Sequence, residues 1–375
     1  MKKIIIIRSN PVYPDPRVEK IIDALKDNFT IEVLAWDREC KTQSIEINNN
    51  IKIKRIHIKG NYGIGIKNFV NILKWFIFIF FYLIKENYDY IHACDFDTFL
   101  PSLLPVKIKR KKIIYDIFDF YADMIRNIPK FLRKIIKFID KSLIRFANFV
   151  IIADEYRKEQ IRYNSEKVIV INNTPPDLYK YFKDRIEESK KRDIFYLGYI
   201  GLLKEDRGIK NIIRIVNEIN GIKLILGGYG DKDFENWLIN ITRNYEKIKY
   251  LGRVHPYLKT LEILSECDAL FALYDPKIPN NRYASPNKLY EAMMLGKPII
   301  VSKSTIMENI VNKFNIGFSV EYYNLNEIKN TILFLINYKK NNEINKFEKN
   351  CRYAYENFYS YELMKKRLLN IYLKL

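Results

Sequence analysis

The chain has few residues of the kinds that bind metals or form disulfides. Only three histidines are present, and the four cysteines are scattered without a CxxC pair: Cys40, Cys94, Cys267 and Cys351. Zinc sites and redox motifs need cysteines or histidines at short spacing. The sequence therefore offers no metal-binding set and favours a reduced, cytoplasmic setting.

Long apolar runs are also absent. The most apolar segment, Trp75–Ile84, has ten residues, about half of the ~20 that a membrane-spanning helix needs. The run Ile4–Ile7 is as short as a strand, and no cleavage site of small residues follows it. We therefore expect neither a transmembrane helix nor a secretory signal. Trp75–Ile84 is either a core helix or a helix in the membrane interface.

Acidic residues are missing from the whole interval between Glu46 and Glu86. Seven lysines and arginines lie there, and a second basic stretch runs from Lys107 to Arg145, in a chain of net charge +20. Such stretches attract nucleic acid or anionic lipid, or are simply solvated. No helix-turn-helix, zinc-finger or ribonucleoprotein motif accompanies them, so we expect no nucleic-acid partner.

The segment Lys130–Arg145 has the pattern of a basic amphipathic helix. Its apolar stripe, which we expect to pack on a sheet, consists of Phe131, Leu132, Ile135, Ile136, Ile139, Leu143 and Phe146. The opposite, basic face can meet an anionic membrane surface. Together with Trp75–Ile84, this pattern favours a cytoplasmic protein that is peripheral on the inner face of a membrane. A solvated surface is the alternative.

At 375 residues, the chain is too long for one ordinary core, which favours two domains. Continuous apolar runs alternate with helical patterns in both halves, for example at Ile4–Arg8 and Tyr90–Ala93, and at Phe195–Gly201 and Pro298–Ser302. Continuous runs are typical of parallel strands buried on both faces. The pattern predicts an α/β fold of two doubly wound sheets, with ligands bound at the carboxyl ends of the strands.

The most informative segment is a loop, a helix and a buried strand that begin at Ser285. Ser285 is predicted to cap the helix with Pro286 in its first position, and Gly296 to end it in the left-handed conformation. A helix N-terminus is an anion site, and Lys288 adds a positive charge there. Glu291, one turn later, can accept hydrogen bonds from a sugar diol. The alternative is an ordinary capped helix before a core strand.

Charged side chains also follow other predicted strands. Lys204 and Arg207 follow Phe195–Gly201 and can meet a diphosphate, Arg207 with a bidentate fork. Asp95-Phe-Asp97 matches a metal–nucleotide motif, but three-residue matches arise by chance, and we assign no metal to it. Asp116 and Asp119 are better candidates for binding sugar hydroxyls, with His92 beside them.

Taken together, these segments resemble the family-4 retaining glycosyltransferases of the GT-B fold. The resemblance covers most of the chain and lies in the order and spacing of its pieces. They are Tyr13–Lys20, Glu32–Arg38, Tyr90–Asp95, Tyr115–Asp119, Val168–Asn173, Gly198–Gly201, Arg207–Gly208, Leu224–Gly227, Leu251–Val254, Cys267–Ala269 and the segment from Ser285.

The resemblance implies two Rossmann-like domains facing across a cleft. Residues 1–175 would bind the acceptor, residues 176–358 would bind the nucleotide sugar, and a helix at about 359–375 would cross back to the first domain. The implied catalytic residues are Arg207, Lys204 and Glu291. The implied donor-binding residues are Arg253, Val254, Tyr283, Ser285, Asn287, Lys288, Leu289 and Glu291. The acceptor candidates are Arg17, His92, Asp95 and Asp119.

The chain departs from the family pattern in two places. Many members carry two glutamates separated by seven residues, and Glu291 matches the second, but Tyr283 stands at the first. Arg282, Tyr283 or Ser285 would then replace the usual contact to the donor sugar. The Gly-Gly loop often found after the first strand is replaced by Ser9–Asp15.

The first functional hypothesis is a hexosyltransferase. It would move a sugar from a nucleoside diphosphate to a saccharide or lipid-linked acceptor, in glycan or cell-surface polysaccharide synthesis. Retention is implied by the resemblance alone, and no cofactor or metal is expected because cationic groups can carry the leaving charge. The alternatives are a GT-B-fold sugar-nucleotide epimerase or inverting transferase, a non-catalytic basic binding protein, and a catalytically dead scaffold.

Overall fold

The computed structural model describes residues 1–13, 15–48, 50–60, 68–124, 128–243 and 245–375. It divides into two compact units. Unit 1 comprises Met1–Asn172 and Met364–Leu375, and unit 2 comprises Asn173–Leu363. The boundary predicted after residue 175 lies three residues beyond this division, and the return to unit 1 comes five residues after the predicted position 359.

Unit 1 contains an eight-stranded sheet in the order β3-β4-β2-β1-β5-β6-β7-β8. All neighbouring pairs are parallel except β3 with β4. The strands are β1 (Lys3–Arg8), β2 (Thr30–Asp37), β3 (Ile45–Asn48), β4 (Ile51–His57), β5 (Tyr90–Cys94), β6 (Lys112–Ile117), β7 (Phe149–Ile152) and β8 (Val168–Val170). The helices are α1 (Pro16–Leu25), α2 (Phe69–Lys85), α3 (Phe96–Ile108), α4 (Tyr121–Met124), α5 (Lys130–Leu143) and α6 (Arg157–Ile161).

The centre of this sheet is buried on both faces. Ile4 to Ile7 of β1 are completely buried, which explains why the strand is a continuous apolar run without alternation. The crossovers from β4 to β5, β5 to β6 and β6 to β7 all run in one direction along the sheet. Because such connections are right-handed, α2, α3 and α5 lie on the same face.

The packing of α5 corrects one prediction. Ile136 and Leu143 pack against the core, but Phe131, Ile135 and Phe146 of the same apolar stripe are exposed. The side of α5 that faces the protein includes Asp140, which is completely buried. The stripe therefore packs on the sheet only along one margin, since polar contacts occupy the rest of the inner face.

Unit 2 contains a six-stranded parallel sheet in the order β11-β10-β9-β12-β13-β14. Its strands are β9 (Phe195–Leu203), β10 (Ile222–Gly230), β11 (Ile248–Tyr250), β12 (Ala269–Ala272), β13 (Ile299–Ser302) and β14 (Gly317–Val320). Its helices are α7 (Tyr179–Lys190), α8 (Ile209–Glu218), α9 (Lys232–Thr242), α10 (Tyr257–Ser265), α11 (Pro279–Arg282), α12 (Asn287–Leu295), α13 (Ile306–Phe314), α14 (Leu325–Lys340) and α15 (Asn345–Ala354). A last helix, α16 (Tyr361–Leu373), leads into the C-terminal part of unit 1.

The prediction of two Rossmann-like, parallel-sheet units is confirmed. Helices separate the consecutive parallel strands in each unit, as βαβ connections require, except between β2 and β4, which are joined through the antiparallel strand β3. Within the described ranges, no helix combines the length and the apolarity needed to cross a bilayer. In both units the loops at the carboxyl ends of the strands are the places where this architecture binds ligands.

Candidate functional site

Arg207 lies in the loop between β9 and α8 of unit 2. A short 3₁₀ turn, Glu205–Arg207, leads to Gly208, whose φ of +67° is in the left-handed region. A Cβ at Gly208 would lie 2.5 Å from the Cβ of Leu273. Glycine is therefore required here on two counts, and the loop is held close to the end of β12.

The guanidinium of Arg207 is fixed by two neighbouring segments. It donates to Asn281 Oδ1 at 2.9 Å and stacks 3.8 Å from the centre of the Tyr274 ring. Asn281 lies in α11 and Tyr274 follows β12, so two segments from other parts of unit 2 position this cation. Neither partner was predicted from the sequence, because a single asparagine and a single tyrosine outside any motif give no signal of their own. Arg207 keeps part of its surface in solvent, where an anion can reach it.

The start of α12 differs from the prediction by one residue. The helix begins at Asn287, and Pro286 is its cap in the extended conformation (φ −74°, ψ 149°) rather than its first residue. Ser285 therefore lies outside the helix and does not cap it. Its hydroxyl instead contacts the Tyr290 hydroxyl at 2.6 Å. The predicted left-handed end at Gly296 is confirmed, with φ +69°.

Lys288, in the first turn of α12, has an unusual environment. Its side chain is buried, with Nζ 4.3 Å from the centre of the Tyr199 ring. A Cβ at Gly201 would lie 2.2 Å from Nζ, so only glycine lets the ammonium approach the end of β9. Nζ makes no hydrogen bond or ion pair with any residue that the structure describes. Burial lowers the pKa of Lys288 to about 8, with Glu291 opposing this and Arg207 adding to it.

Glu291 lies one helical turn beyond Lys288 and is also buried. Tyr257, the first residue of α10, donates a hydrogen bond from its hydroxyl to Glu291 Oε1 at 2.7 Å. Burial together with the charge of Glu291 raises the pKa of Tyr257 well above its usual value, so the hydroxyl stays protonated and remains a donor. Tyr257 was not predicted from the sequence, because nothing in its surroundings marks it.

The segment Leu226–Gly230 continues strand β10 and is not a turn. A Cβ at Gly228, where φ is +128°, would lie 1.8 Å from the carbonyl oxygen of Gly201. The Gly228 N–H donates to Gly252 O at 2.8 Å. The glycines thus serve close backbone packing at the strand ends. Beside them, a Cβ at Gly227 would lie 2.9 Å from Val254 Cγ2.

The remaining predicted donor residues have less specific surroundings. Arg253 is exposed and lies 5.2 Å over the Tyr229 ring. Lys204 is half-buried, and its carbonyl accepts the Arg207 N–H at 3.2 Å. Tyr283 ends α11, where its N–H donates to Asn281 O. Of all the predicted donor residues, the structure brings Arg207, Lys288 and Glu291 close enough for the charges of Arg207 and Glu291 to act on Lys288.

In unit 1, two of the predicted acceptor residues form one buried chain of polar contacts. Arg17 donates to both oxygens of Asp116, at 2.5 and 3.3 Å, and His92 Nε2 lies 3.2 Å from Asp116 Oδ2. The other ring nitrogen of His92 contacts the Tyr372 hydroxyl at 2.7 Å. Burial alone would raise the pKa of Asp116. The charge of Arg17 and the contact with His92 have the larger, opposite effect, so the pKa of Asp116 is lowered.

Asp95 and Asp119 complete the predicted acceptor set. Asp95 has a left-handed φ of +68°, which costs energy in a residue with a side chain, and its carboxylate pairs with Arg8 and accepts the Phe118 N–H. Burial, helped by Asp97 and Asp119 and opposed by Arg8, raises the pKa of Asp95 to about 7. Asp119 is half-buried and pairs with Arg157 at 2.9 Å.

The acidic residues of unit 1 do not assemble a metal centre in the described structure. No group of three or more histidine, cysteine, aspartate or glutamate side chains in the described ranges is placed to hold an ion. Asp95 is engaged by Arg8, and Asp116 by Arg17 and His92. These carboxylates therefore serve ion pairs, and the expectation that no metal is needed stays a prediction.

The comparisons with known proteins bear on unit 2 first. Residues 180–354 match the family model described as glycosyl transferases group 1. The matched residues make up most of unit 2. The match confirms the predicted enzyme class. No curated protein sequence matches the chain.

Solved structures resemble the whole chain at low sequence identity. Sucrose-phosphate synthase from Thermosynechococcus elongatus is 14% identical with a TM-score of 0.75, covering 100% of this chain and 99% of that one. HepE of Anabaena in complex with UDP and glucose is 16% identical with a TM-score of 0.72, and both chains are covered completely. An E. coli trehalose-6-phosphate protein bound with UDP-2-fluoro glucose is 10% identical, with a TM-score of 0.68 and 98% of each chain covered. These similarities confirm the GT-B fold.

Proposed function

We propose that the protein transfers a hexose from a nucleoside diphosphate sugar to a saccharide or lipid-linked acceptor. The observation that carries this proposal is the cluster of Arg207, Lys288 and Glu291 within the glycosyltransferase domain. Two cations and a carboxylate lie at the end of β9 and the start of α12, where parallel sheets bind ligands. The pair of cations suits a diphosphate, and the carboxylate suits the hydroxyls of a ribose.

The chemistry would be electrostatic. Arg207, Lys288 and the first N–H groups of α12 would hold the diphosphate and stabilise the charge that develops as it leaves. Glu291, kept in place by Tyr257, would accept hydrogen bonds from the ribose and fix the nucleotide relative to these cations. Lys204, on the same loop as Arg207, would add charge at the outer side. With this set of cations, the reaction would proceed without a metal or cofactor.

A uridine nucleotide is the donor we propose first. HepE of Anabaena is complexed with UDP-glucose in one structure, at 17% identity and with a TM-score of 0.73. In this chain the backbone around Arg253 and Val254, next to the glycine-rich end of β10, would meet the base. Tyr283, in place of the family's first glutamate, would lie beside the donor sugar. Membership of family 4 and retention of anomeric configuration form part of this proposal.

The acceptor would bind to unit 1. Arg17, His92 and Asp95 are buried in ion pairs and hydrogen bonds, so they would shape the loops at this end of the sheet. Asp119, which is half-buried, is the predicted acceptor residue best placed to touch a hydroxyl. We place the reaction in the cytoplasm, in the synthesis of a glycan or cell-surface polysaccharide, with a lipid-linked acceptor at the inner face of the membrane.

The proposal is tested by thermal unfolding with UDP-, GDP- and ADP-sugars. A ligand that binds the native state raises the unfolding temperature, by an amount that grows with its concentration relative to its Kd. We expect a uridine sugar to give the largest rise, and turnover with an acceptor to release UDP. Donor binding without turnover would support the scaffold, and conversion of the sugar nucleotide alone would support the epimerase. No rise with any of the three would refute the site.

A further inference from the structure

Helix α2 is apolar on both faces, although the sheet covers only one. Trp75, Ile79 and Leu83 point into the core of unit 1. The opposite side carries Phe69, Leu73, Ile77 and Phe81, which recur at every fourth residue and are all exposed. A helix that is apolar all round is normally enclosed by apolar surroundings. In the part of the chain that the structure describes, the outward row of α2 therefore lacks the cover that its composition calls for.

Helix α5 also turns apolar side chains outward. Phe131, Ile135 and Phe138 lie on its outward side, and Phe138 keeps 73% of its surface exposed. The helix is held in this orientation from its inner side, where Tyr115 donates to Asp140 Oδ1 at 2.8 Å. The outward position of these aromatic and aliphatic side chains is thus fixed by buried contacts.

Helices α2, α3 and α5 belong to one layer. All three contribute side chains to the same core cluster on one face of the sheet, and α3 adds exposed Leu104 and Ile108 to the outer surface. α3 and α5 meet the same strand, because Phe99 of α3 stacks on the Tyr115 ring at 4.0 Å while Tyr115 bonds Asp140 of α5. We call the outer surface of α2, α3 and α5 the helical face.

The helical face carries charge of one sign. The three helices contain two acidic residues, Asp97 and Asp140, and both are buried. Their exposed charged residues are Lys74, Lys85, Lys107, Lys130 and Lys134. Exposed apolar side chains flanked by lysines are typical of helices that lie in a membrane interface. In such helices the lysine stems run along the apolar surface and the ammonium groups reach the lipid headgroups.

We propose that the helical face docks on a lipid bilayer that contains anionic lipid, with the exposed apolar side chains entering the interface. Charge complementarity favours a bilayer over a second copy of the chain, since two copies of this face would bring lysines together. The helices begin at the carboxyl edge of the sheet, where Arg8, Asp95 and Asp116 lie. This proposal rests on the proposed function in one respect. A lipid-linked acceptor would reach the carboxyl edge of the sheet from the membrane on which the helical face docks.

The first test is co-sedimentation of the full chain with vesicles of phosphatidylcholine alone or with added phosphatidylglycerol. We expect binding to the anionic vesicles, weakened about fivefold for each lysine removed in Lys130→Gln and Lys134→Gln. Salt should weaken the binding without abolishing it, because apolar insertion is not screened. No sedimentation with anionic vesicles at low salt would overturn the proposal.

The second test separates apolar docking from charge alone. The double variants Leu73→Gln/Ile77→Gln and Phe131→Gln/Phe138→Gln should each bind vesicles at least about tenfold more weakly, since burial of such side chains is lost. Leu333→Gln, on α14 of unit 2 and 38% exposed, is the matched control and should bind like the wild type. Circular dichroism checks that each variant is folded.

Two outcomes of this comparison would overturn the docking surface. One is equal vesicle binding by the apolar double variants and the wild type. The other is a wild-type dimer that dissociates in these variants and does not bind vesicles, which would make the face an interface between copies. Donor binding is measured separately, by the unfolding shift with UDP-sugar in the absence of vesicles. Vesicle binding without that shift would leave the docking surface standing and refute the proposed function.

Discussion

Replacing Lys288 with methionine should change stability and donor binding in opposite directions. The ammonium is buried against Gly201 and the Tyr199 ring, and burial lowers its pKa from 10.5 to about 8. At about 1.4 kcal/mol for each unit of pKa, this corresponds to about 3 kcal/mol by which folding disfavours the charged form. Methionine keeps most of the stem and removes that cost.

The direction with pH follows from the lowered pKa. Below pH 8 Lys288 is charged in both the folded and the unfolded chain, so the folded protein bears the full cost. The cost decreases between pH 8 and 10.5 and is absent above 10.5, where both states are neutral. Urea unfolding at pH 7 should therefore show Lys288→Met to be about 1–3 kcal/mol more stable than the wild type. The gain should shrink as the pH approaches 10.

Donor binding should respond the other way. A diphosphate that pairs with Lys288 loses a charge-assisted hydrogen bond in the variant, which costs about 1.5–3 kcal/mol, or roughly 10- to 150-fold in Kd. Isothermal titration with UDP measures this loss. Unchanged UDP affinity would refute the role of Lys288 in the site, and a destabilised Lys288→Met would refute the reasoning on burial.

Lys297 supplies the matched control. It follows the other end of α12, is buried, and has its pKa lowered to about 8 by burial. Its ammonium donates to Ser189 Oγ at 3.0 Å, so it already has an acceptor inside the protein. Lys297→Met should alter stability while leaving UDP affinity as it is. A loss of affinity in both variants would show that the effect is on the fold and not on the site.

Three further predictions concern the site and the core. Arg207→Ala and Glu291→Ala should each weaken donor binding or turnover by about 1.5–3 kcal/mol in a folded protein; wild-type kinetics in both would remove these residues from the site. Activity should survive excess EDTA, and a loss that manganese or magnesium restores would give Asp95 and Asp97 a metal role. Burial raises the pKa of Asp140 from 3.8 to about 7. The charged carboxylate therefore destabilises the folded protein fully above pH 7, whereas below pH 3.8 the group is neutral in both states and the cost is absent. Asp140→Asn, which keeps an acceptor for Tyr115, should therefore be about 1–3 kcal/mol more stable at pH 8 and unchanged at pH 4 by urea unfolding.

The sequence predicted the sheets well because their strands carry a signal of their own. Four isoleucines in a row, as in Ile4–Ile7, are typical of a strand that is buried on both faces, and these four are completely buried. Gly296 was equally readable, since a glycine before Lys297-Pro298 marks a helix end. The start of α12 was missed by one residue because proline suits both the cap and the first helical position, and only ψ of 149° at Pro286 distinguishes them.

The candidate site was predictable only in its charged members. Arg207, Lys288 and Glu291 follow strands or open a helix, so topology alone directs them to one edge of the sheet. Tyr257, Tyr274 and Asn281 hold those charged groups in place, yet they come from loops and helix starts separated by many residues. Their roles follow from tertiary contacts that have no local pattern.

The direction in which an amphipathic helix faces is a tertiary property for the same reason. Periodicity places Phe131 and Ile135 on one stripe of α5, and it would place them there whether the stripe met the sheet or the solvent. What decides is the inner side, where Asp140 accepts from Tyr115 and Lys137 lies 3.7 Å from Asp123. These polar contacts occupy the inner face of α5, so only one edge of the apolar stripe packs against the core. A helix that is both apolar and turned outward needs a further apolar environment, which is the physical basis for assigning the helical face to a bilayer.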